Sequence, residues 1–413
     1  MNIILLSIFA IGYLLIALEQ KVKINKSAIA VLLAVFCWGV LLVYNWHQDK
    51  VVLNQLNCHL ADIAQILFFL MGAMTIVEIM DSYHGFRFIS QLIKAKNTVT
   101  LLWIISIITF FLSSFLDNVT TSIIMVTLLQ KLIPKGENRL TFSGMIVIAA
   151  NAGGAWTPIG DVTTTMLWIK GYISGLKIIQ KVFIPSIVSI FIPLLYFSFK
   201  VKFEKYNDTV QNTDEKIIGA KKVFFIGVGA LFMVPILKTV FDLPPYLGVL
   251  LGLGLLWVYT DAIHNKEEQL KVPRILAKVD YSSLLFFLGI LLAVAALDSA
   301  GVLSNLANML DSTFKNRNII ISLLGIISSI VDNVPLTAST MGMYDIALYP
   351  KDSFIWQLIA YCVGTGGSLL IIGSAAGVVV MGMEKIDFSW YIRKVSLIAF
   401  IGYLAGIAFL LYI

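Results

Sequence analysis

The sequence predicts an all-α membrane protein with two inverted-topology repeats and about ten transmembrane helices, including two broken helices, together with two re-entrant hairpins. Three observations support this fold: an apolar composition, a series of apolar runs of bilayer length, and a set of motifs that occur twice. Hydrophobic residues occupy 59% of the 413 positions, and charged residues only 13%. Soluble domains carry about 25% charged residues, so we expect lipid to surround most of this chain.

The apolar runs locate the predicted spans, since a transmembrane helix needs about 20 mostly apolar residues. Uninterrupted runs predict single spans at 3–18, 27–45, 63–80, 178–199, 222–240, 246–262, 281–297 and 389–412. Glycine and proline interrupt two further spans, 141–170 and 354–384, which we expect to be broken helices. Two stretches, 100–133 and 317–349, carry Asp-Asn near their middle. We expect each of these to enter the membrane and return to the same side as a hairpin.

Loop charges give the predicted orientation. With the N-terminus outside, most of the 30 basic residues, Lys26 among them, fall in cytoplasmic loops, as the positive-inside rule requires. Both termini are then periplasmic in a bacterial inner (plasma) membrane, and the basic charge gives no reason to expect a nucleic-acid partner. Segment 3–18 lacks a basic leader and a cleavage site, so we expect a retained span. We also predict an interfacial amphipathic helix at 83–97 and a cytoplasmic linker at 200–221.

Four motifs occur twice, in the same order and about 215 residues apart. The clearest is Ser-Ser-Phe-Leu-Asp-Asn-Val at 113–119, which returns as Ser-Ser-Ile-Val-Asp-Asn-Val at 328–334. The other pairs are Phe-Phe-Leu at 68–70 and 286–288, Asp-Ser at 81–82 and 298–299, and glycines 153, 154 and 160 with 366, 367 and 373. These matches indicate a duplication, which divides the chain into repeats at 1–199 and 222–413. The loop charges make the two halves inverted, an architecture typical of alternating-access transporters.

Two Asp-Asn dipeptides lie inside apolar stretches: Asp117-Asn118 and Asp332-Asn333. An ionisable residue at membrane depth is costly, and it is a functional-site hypothesis by default. Asp and Asn also cap helix N-termini, so capping of the returning arm of each hairpin is the alternative role. Ser or Thr could cap without a charge, which favours a functional carboxylate. Thr120 and Thr121 follow in the first hairpin only, and the residues are consistent with one ion site or two.

The broken helices supply further oxygen ligands. In the first, Asn151, Thr157 and Asp161 surround a Gly-Gly and a Pro-Ile-Gly sequence, and in the second Thr365 stands among glycines. Interrupted helices at corresponding positions of two halves are a pointer to a transport site. Close packing of helices is the alternative reason for membrane glycines.

A third polar group, Glu78, Asp81 and His84, follows the end of span 63–80. This group has two possible roles: a polar rim at the membrane interface, or a proton route into the site. We assign no role to His47, His59 or His264, which we expect in loops.

At these motifs the chain resembles the NhaD-type sodium/proton antiporters of the ion-transporter superfamily, which also contains arsenite permeases and dicarboxylate symporters. The resemblance covers nearly the whole chain and implies scaffold and transport elements in each half, elevator-like motion and a homodimer. Dicarboxylate-carrying relatives have Ser-Asn-Thr at the hairpin tips, where this chain has Asp117 and Asp332 in place of the serine. A carboxylate repels anions and attracts a hard cation, which favours cation exchange.

We therefore expect alternating-access exchange of Na⁺ or Li⁺ for H⁺, serving pH homeostasis, with no catalytic residue, no cofactor, and membrane lipid as surroundings. The expected ion- and proton-binding residues are Asp117, Asn118, Thr120, Thr121, Asn151, Thr157, Asp161, Asp332, Asn333 and Thr365. Na⁺ ligands are expected among Asp117, Asn118, Thr157, Asp161, Asp332 and Asn333. Na⁺ and H⁺ competing for the same carboxylates would suffice for antiport if only occupied forms cross.

Three other functions compete with this expectation. The first is transport of arsenite or a dicarboxylate anion by the same architecture. The second is an intramembrane aspartyl protease, in which two carboxylates share a proton. Its Gly-x-Gly-Asp motif is incomplete here, because Pro158 stands where the first glycine is needed before Asp161. The third is a passive channel, for which broken-helix inverted repeats are less typical.

Overall fold

The computed structural model describes residues 1–17, 19–46, 49–86, 93, 95, 97–202, 219–263, 270–314 and 316–412, and its regular elements in these ranges are helices. The first half contains α1 (Asn2–Ala17), α2 (Glu19–Val22), α3 (Lys26–Tyr44), α4 (Asp49–Ser82), α5 (Thr98–Leu112), α6 (Asn118–Leu132), α7 (Glu137–Gly154), α8 (Val162–Ile169) and α9 (Gly175–Lys200). The second half contains α10 (Ala220–Phe241), α11 (Pro245–Ile263), α12 (Val272–Leu276), α13 (Tyr281–Ser299), α14 (Val302–Phe314), α15 (Arg317–Ile327), α16 (Asn333–Met343), α17 (Phe354–Gly366), α18 (Ala375–Glu384), α19 (Phe388–Tyr391) and, after a π-helical turn at 392–396, α20 (Leu397–Tyr412).

The chain is a multi-pass membrane protein. Among the described helices, seven are long and apolar enough to cross a bilayer: α3, α4, α9, α10, α11, α13 and the continuous segment Phe388–Tyr412. Large apolar side chains cover their outer faces, as shown by Val35 at 63%, Phe199 at 82% and Leu255 at 62% exposure. Such faces are stable in hydrocarbon, where lipid replaces water as the solvent.

The helices pack into two groups. The scaffold group consists of α1, α3, α4, α10, α11 and α13, in which α3 lies along α13 and α4 lies against both α11 and α13. The hairpin group consists of α5 to α9 and α15 to α20, in which α9 lies along α20 and each hairpin packs on a broken helix. Helix α16 also contacts α13, so the second hairpin lies at the boundary between the groups.

Both predicted hairpins turn at their Asp-Asn motif. In the first, the tip (residues 113–121) joins α5 to α6, and in the second the tip (residues 328–337) joins α15 to α16. Equivalent serines anchor the two tips, since the Ser113 hydroxyl donates to the Ala150 carbonyl at 2.6 Å and the Ser328 hydroxyl donates to the Val363 carbonyl at 2.8 Å. Each hairpin is thereby fixed to the broken helix of its own half.

Glycine allows these helices to touch. A Cβ atom built on Gly153 would overlap the backbone carbonyl of Phe110, and one built on Gly366 would overlap the carbonyl of Gly325. Backbone cannot move aside as a flexible side chain can, so we expect Gly153→Ala to destabilise the protein by about 1–3 kcal/mol. The measurement is the thermal unfolding midpoint in detergent. Gly229→Ala is the control, because its Cβ meets nothing within 4 Å, and an equal midpoint for both variants would contradict this account.

The structure extends the predictions in two places. Predicted span 63–80 is the second half of α4, which has 34 residues and is therefore about 51 Å long. It starts earlier because residues 49–62 contain neither glycine nor proline to end a helix. The amphipathic α14 was not predicted; only Leu303 and Ala307 of this helix are buried.

Two predicted segments lie largely outside the described residues. Of segment 83–97, residues 87–92, 94 and 96 are not described, so the expected amphipathic helix stays a prediction. Of the linker at 200–221, residues 203–218 are not described.

Candidate functional site

Asp117 caps α6, and the donors that hold it within the described part of the chain are neutral. Its carboxylate accepts hydrogen bonds from the backbone amides of Val119 and Thr120, both at 2.9 Å, and from the Thr120 hydroxyl at 2.6 Å. Among the described residues, no Lys or Arg forms an ion pair with it. The neighbouring Thr121 hydroxyl is buried and finds no hydrogen-bond partner in the described residues. The capping role is therefore real, and it leaves the carboxylate's negative charge uncompensated.

Asp161 joins the first broken helix to the second hairpin. It stands at the N-terminus of α8, after the break at 155–161, and is only 2% exposed. The side-chain amide of Asn333 donates to both of its carboxylate oxygens, at 3.0 and 3.2 Å. Thr157, within the break, donates its hydroxyl to the carbonyl of Ser114 in the first tip. This break thus contacts both hairpin tips.

The reciprocal contact uses neutral groups only. The Asn118 amide donates to the Asn151 side-chain oxygen at 3.1 Å, and the Asn151 amide donates to the Ser374 hydroxyl at 3.1 Å. Ser374 caps α18 by accepting a bond from the Gly377 amide. It occupies the repeat position that corresponds to Asp161. Asn333 therefore contacts the first break directly, whereas Asn118 is connected to Ser374 of the second break through Asn151 of its own half. Only the first break carries a carboxylate.

Asp117 and Asp161 line one small cavity. Its volume is about 30 Å³, and apolar side chains from α4, including Phe69 and Met74, form much of its wall. This volume suffices for one water molecule, or for a small ion in its place. Two carboxylates facing an apolar cavity attract a cation strongly, because little water screens their charge. The arrangement can hold a small hard cation or a proton.

The second tip differs from the first. Asp332 caps α16 by accepting from the Val334 amide at 3.3 Å, and its other carboxylate oxygen accepts from the Lys26 ammonium at 3.4 Å. The same ammonium lies 4.4 Å from the centroid of the Phe286 ring. Lys26 begins α3, and its assignment to the basic loop residues missed this contact. The two acidic tips are therefore not equivalent.

The remaining predicted residues have local or peripheral partners. Thr365 is buried, and its hydroxyl donates to the Tyr361 carbonyl within α17. Glu78 is half-buried, whereas Asp81 and His84 are exposed near the end of α4. The described hydrogen bonds do not link these three residues to Asp117 or Asp161. The proton route through them stays a prediction.

Sequence reasoning missed a second polar cavity. His59, Lys170 and Asp298 line about 100 Å³ between α4, α8 and α13. Lys170 pairs with Asp62 at 2.5 Å, and the His59 ring lies 3.2 Å from the Ser299 hydroxyl. The expectation of a loop at His59 was wrong, because α4 extends through this position. The Asp-Ser repeat was the available signal, since Asp298 corresponds to Asp81.

A wider cavity of about 490 Å³ shares Asp298 with this one and is lined also by Asp311, Asp345 and Tyr344. Arg317 also lines this cavity and pairs with Asp311 at 2.8 Å. The remaining carboxylates, Asp298 and Asp345, would attract cations to the cavity.

Comparison with known proteins gives consistent matches. Residues 13–364 match the family described as citrate transporter. Sodium/proton antiporter 1 of Arabidopsis thaliana is 51% identical over 97% of this chain and 70% of that protein. Sodium/proton antiporter 2 of the same plant is 48% identical over 97% of each chain. The Na⁺/H⁺ antiporter NhaD of Vibrio cholerae is 32% identical over 97% of this chain and 90% of that protein.

Proposed function

Since the chain belongs to the NhaD-type Na⁺/H⁺ antiporters of the ion-transporter superfamily, we propose that it exchanges Na⁺ (or Li⁺) for H⁺ across a membrane by alternating access. It is a transporter and not an enzyme. The observation that carries the proposal is the small cavity that Asp117 and Asp161 line together. A carboxylate pair between the two tips and the breaks has the ligand chemistry that a hard cation prefers.

In this mechanism the two ions exclude each other. Na⁺ binds to carboxylate oxygens of Asp117 and Asp161, and a proton binds to the same oxygens. Asn118 and Asn333 position the tips against the breaks, while Thr120 orients the Asp117 carboxylate. The hairpin group then moves relative to the scaffold group in an elevator-like step. Antiport follows if the site crosses only with Na⁺ or a proton bound, because the empty pair of charges is costlier to move through hydrocarbon than a pair partly compensated by a bound cation.

Asp117→Asn tests this mechanism. The variant removes one charge from the cavity, so we expect Na⁺-driven pH changes in everted vesicles or proteoliposomes to fall to background. Asp242→Asn is the matched control, because Asp242 is an exposed carboxylate that pairs with Lys238 at a helix end. Full exchange by a well-folded Asp117→Asn protein would refute the role of Asp117.

The family description favours a second candidate, transport of citrate or a related anion. The cavity opposes it, because two uncompensated carboxylates repel a polycarboxylate. The same proteoliposomes, loaded with labelled citrate or challenged with arsenite, separate these activities: we expect exchange of Na⁺ for H⁺ and no uptake of either compound above empty liposomes.

We also propose a bacterial inner membrane as the location, with both termini periplasmic, and a homodimer surrounded by lipid. The bacterial sources of the NhaD relatives favour a bacterial membrane, although the antiporters of 51% and 48% identity come from a plant. The loop charges support the orientation. No bound cofactor is needed for the exchange proposed here. Cysteine labelling of each terminus in intact cells tests the orientation.

A further inference from the structure

We propose that the Lys26 ammonium is a built-in cation that occupies the cation position of the second hairpin tip, so that each chain binds a single Na⁺, at the first tip. This inference rests on the proposed function and deepens it. The observation behind it is the ion pair between Lys26 and Asp332, which has no counterpart at Asp117 among the described residues.

The two tips share the Asp-Asn motif and the capping role of its Asp, although their other partners differ. Each has an Asp that accepts hydrogen bonds from backbone amides at the start of the returning helix. The following Asn contacts a broken helix: Asn333 bonds to Asp161 of the other half, and Asn118 bonds to Asn151 of its own half. A duplicated tip of this kind should attract a cation in both halves. At Asp117 the described chain supplies only neutral donors, whereas at Asp332 it supplies an ammonium group at 3.4 Å.

The surroundings keep this ammonium in place. The side chains of Lys26 and Asp332 are 26% and 16% exposed, so neither charge is fully hydrated. The Phe286 ring, which is 1% exposed, faces the ammonium at 4.4 Å and adds a cation–π contact. The backbone amide of Lys26 donates a hydrogen bond to the Glu19 carboxylate, which fixes the start of α3.

The first broken helix strengthens the contrast. A second carboxylate, Asp161, shares the cavity of Asp117, but its repeat counterpart at the second break is the neutral Ser374. Among the described residues, the first tip and first break therefore carry two carboxylates without an ion-paired cation, and the second tip and second break carry one carboxylate paired with Lys26. Among the described residues a fixed ammonium pairs with the second tip and not with the first, so the first tip is where we expect the mobile cation.

The test counts bound sodium. Wild type, K26Q, K26R and the double variant K26Q/D332N are purified in detergent, and radioactive Na⁺ binding is measured to saturation at alkaline pH, where protons compete least. We expect one Na⁺ per chain for wild type and K26R, because both keep the fixed positive charge. We expect two for K26Q, whose uncompensated Asp332 recruits a second ion, and one again for K26Q/D332N.

Other numbers of bound Na⁺ per chain would contradict the inference. Two Na⁺ bound by wild type, or one Na⁺ bound by a monodisperse K26Q protein, would overturn it while leaving sodium exchange intact. A wild type that binds no Na⁺ would contradict the proposed function itself. D332N provides an independent arm if K26Q does not fold: it should bind one Na⁺ as the wild type does, whereas a loss of one bound ion would show that Asp332 is itself a sodium ligand.

Discussion

Asp161→Asn should reduce Na⁺ affinity by more than about a hundredfold and eliminate exchange. One unit charge about 4 Å from a cation contributes about 4 kcal/mol when the effective dielectric constant is about 20, and each 1.4 kcal/mol changes Kd about tenfold. Asp161 is 2% exposed and faces the cavity it shares with Asp117, so no bulk water replaces the lost charge. Calorimetric Na⁺ titration and proteoliposome exchange measure the two effects.

A charge relocation provides the control. In the variant D161N/N333D the carboxylate moves to the other side of the hydrogen bond that now joins Asn333 to Asp161. We expect Na⁺ affinity between those of the wild type and D161N, because one carboxylate returns to the contact in a different place. Unchanged Na⁺ affinity in D161N alone would show that Asp161 is structural.

The second large effect concerns stability. The Glu384 side chain, at the end of α18, is fully buried, and Arg139 of α7 donates to it at 2.7 Å, while Gln130 of α6 donates at 2.8 Å. Removal of one partner from a buried ion pair costs about 3–5 kcal/mol, because the other charge stays behind uncompensated. We therefore expect Arg139→Ala to lower the apparent Tm in detergent more than any exposed-pair variant.

Arg317→Ala is the comparison, since its pair with Asp311 is exposed and such pairs contribute about 0–1 kcal/mol. The double variant R139M/E384M removes both buried charges and should regain much of the lost stability. Equal apparent Tm values for Arg139→Ala and Arg317→Ala would contradict the description of Arg139–Glu384 as a buried ion pair that stabilises the hairpin group.

Sequence reasoning was strongest where local chemistry decides the structure. An Asp-Asn in an apolar stretch predicted a turn, and both tips turn there because Asp117 and Asp332 cap the returning helices. The glycine and proline breaks also fall where expected, with Asp161 and Ser374 at the second starts. In these cases the residues that cause the feature are adjacent in the chain.

Tertiary pairing was harder to predict. Lys26 lies among the basic residues of a predicted cytoplasmic loop. Nothing near it in sequence indicates that its partner is Asp332, some 300 positions away. The pairing of Asn333 with Asp161, and not with its own half's break, depends on how the two repeats interlock. His59 was misplaced because the polar stretch before span 63–80 resembles a loop, although it lacks any helix breaker.

The difference between the two breaks, with Asp161 in the first and Ser374 at the corresponding position of the second, has a thermodynamic consequence. Identical halves would offer the same binding free energy to an ion arriving from either side. Halves that differ by a carboxylate give the two end states unequal energies, and so different apparent sodium affinities at the two membrane faces. This inequality tunes the concentrations at which each face saturates, but the direction of net flux is still decided only by the gradients of sodium and protons.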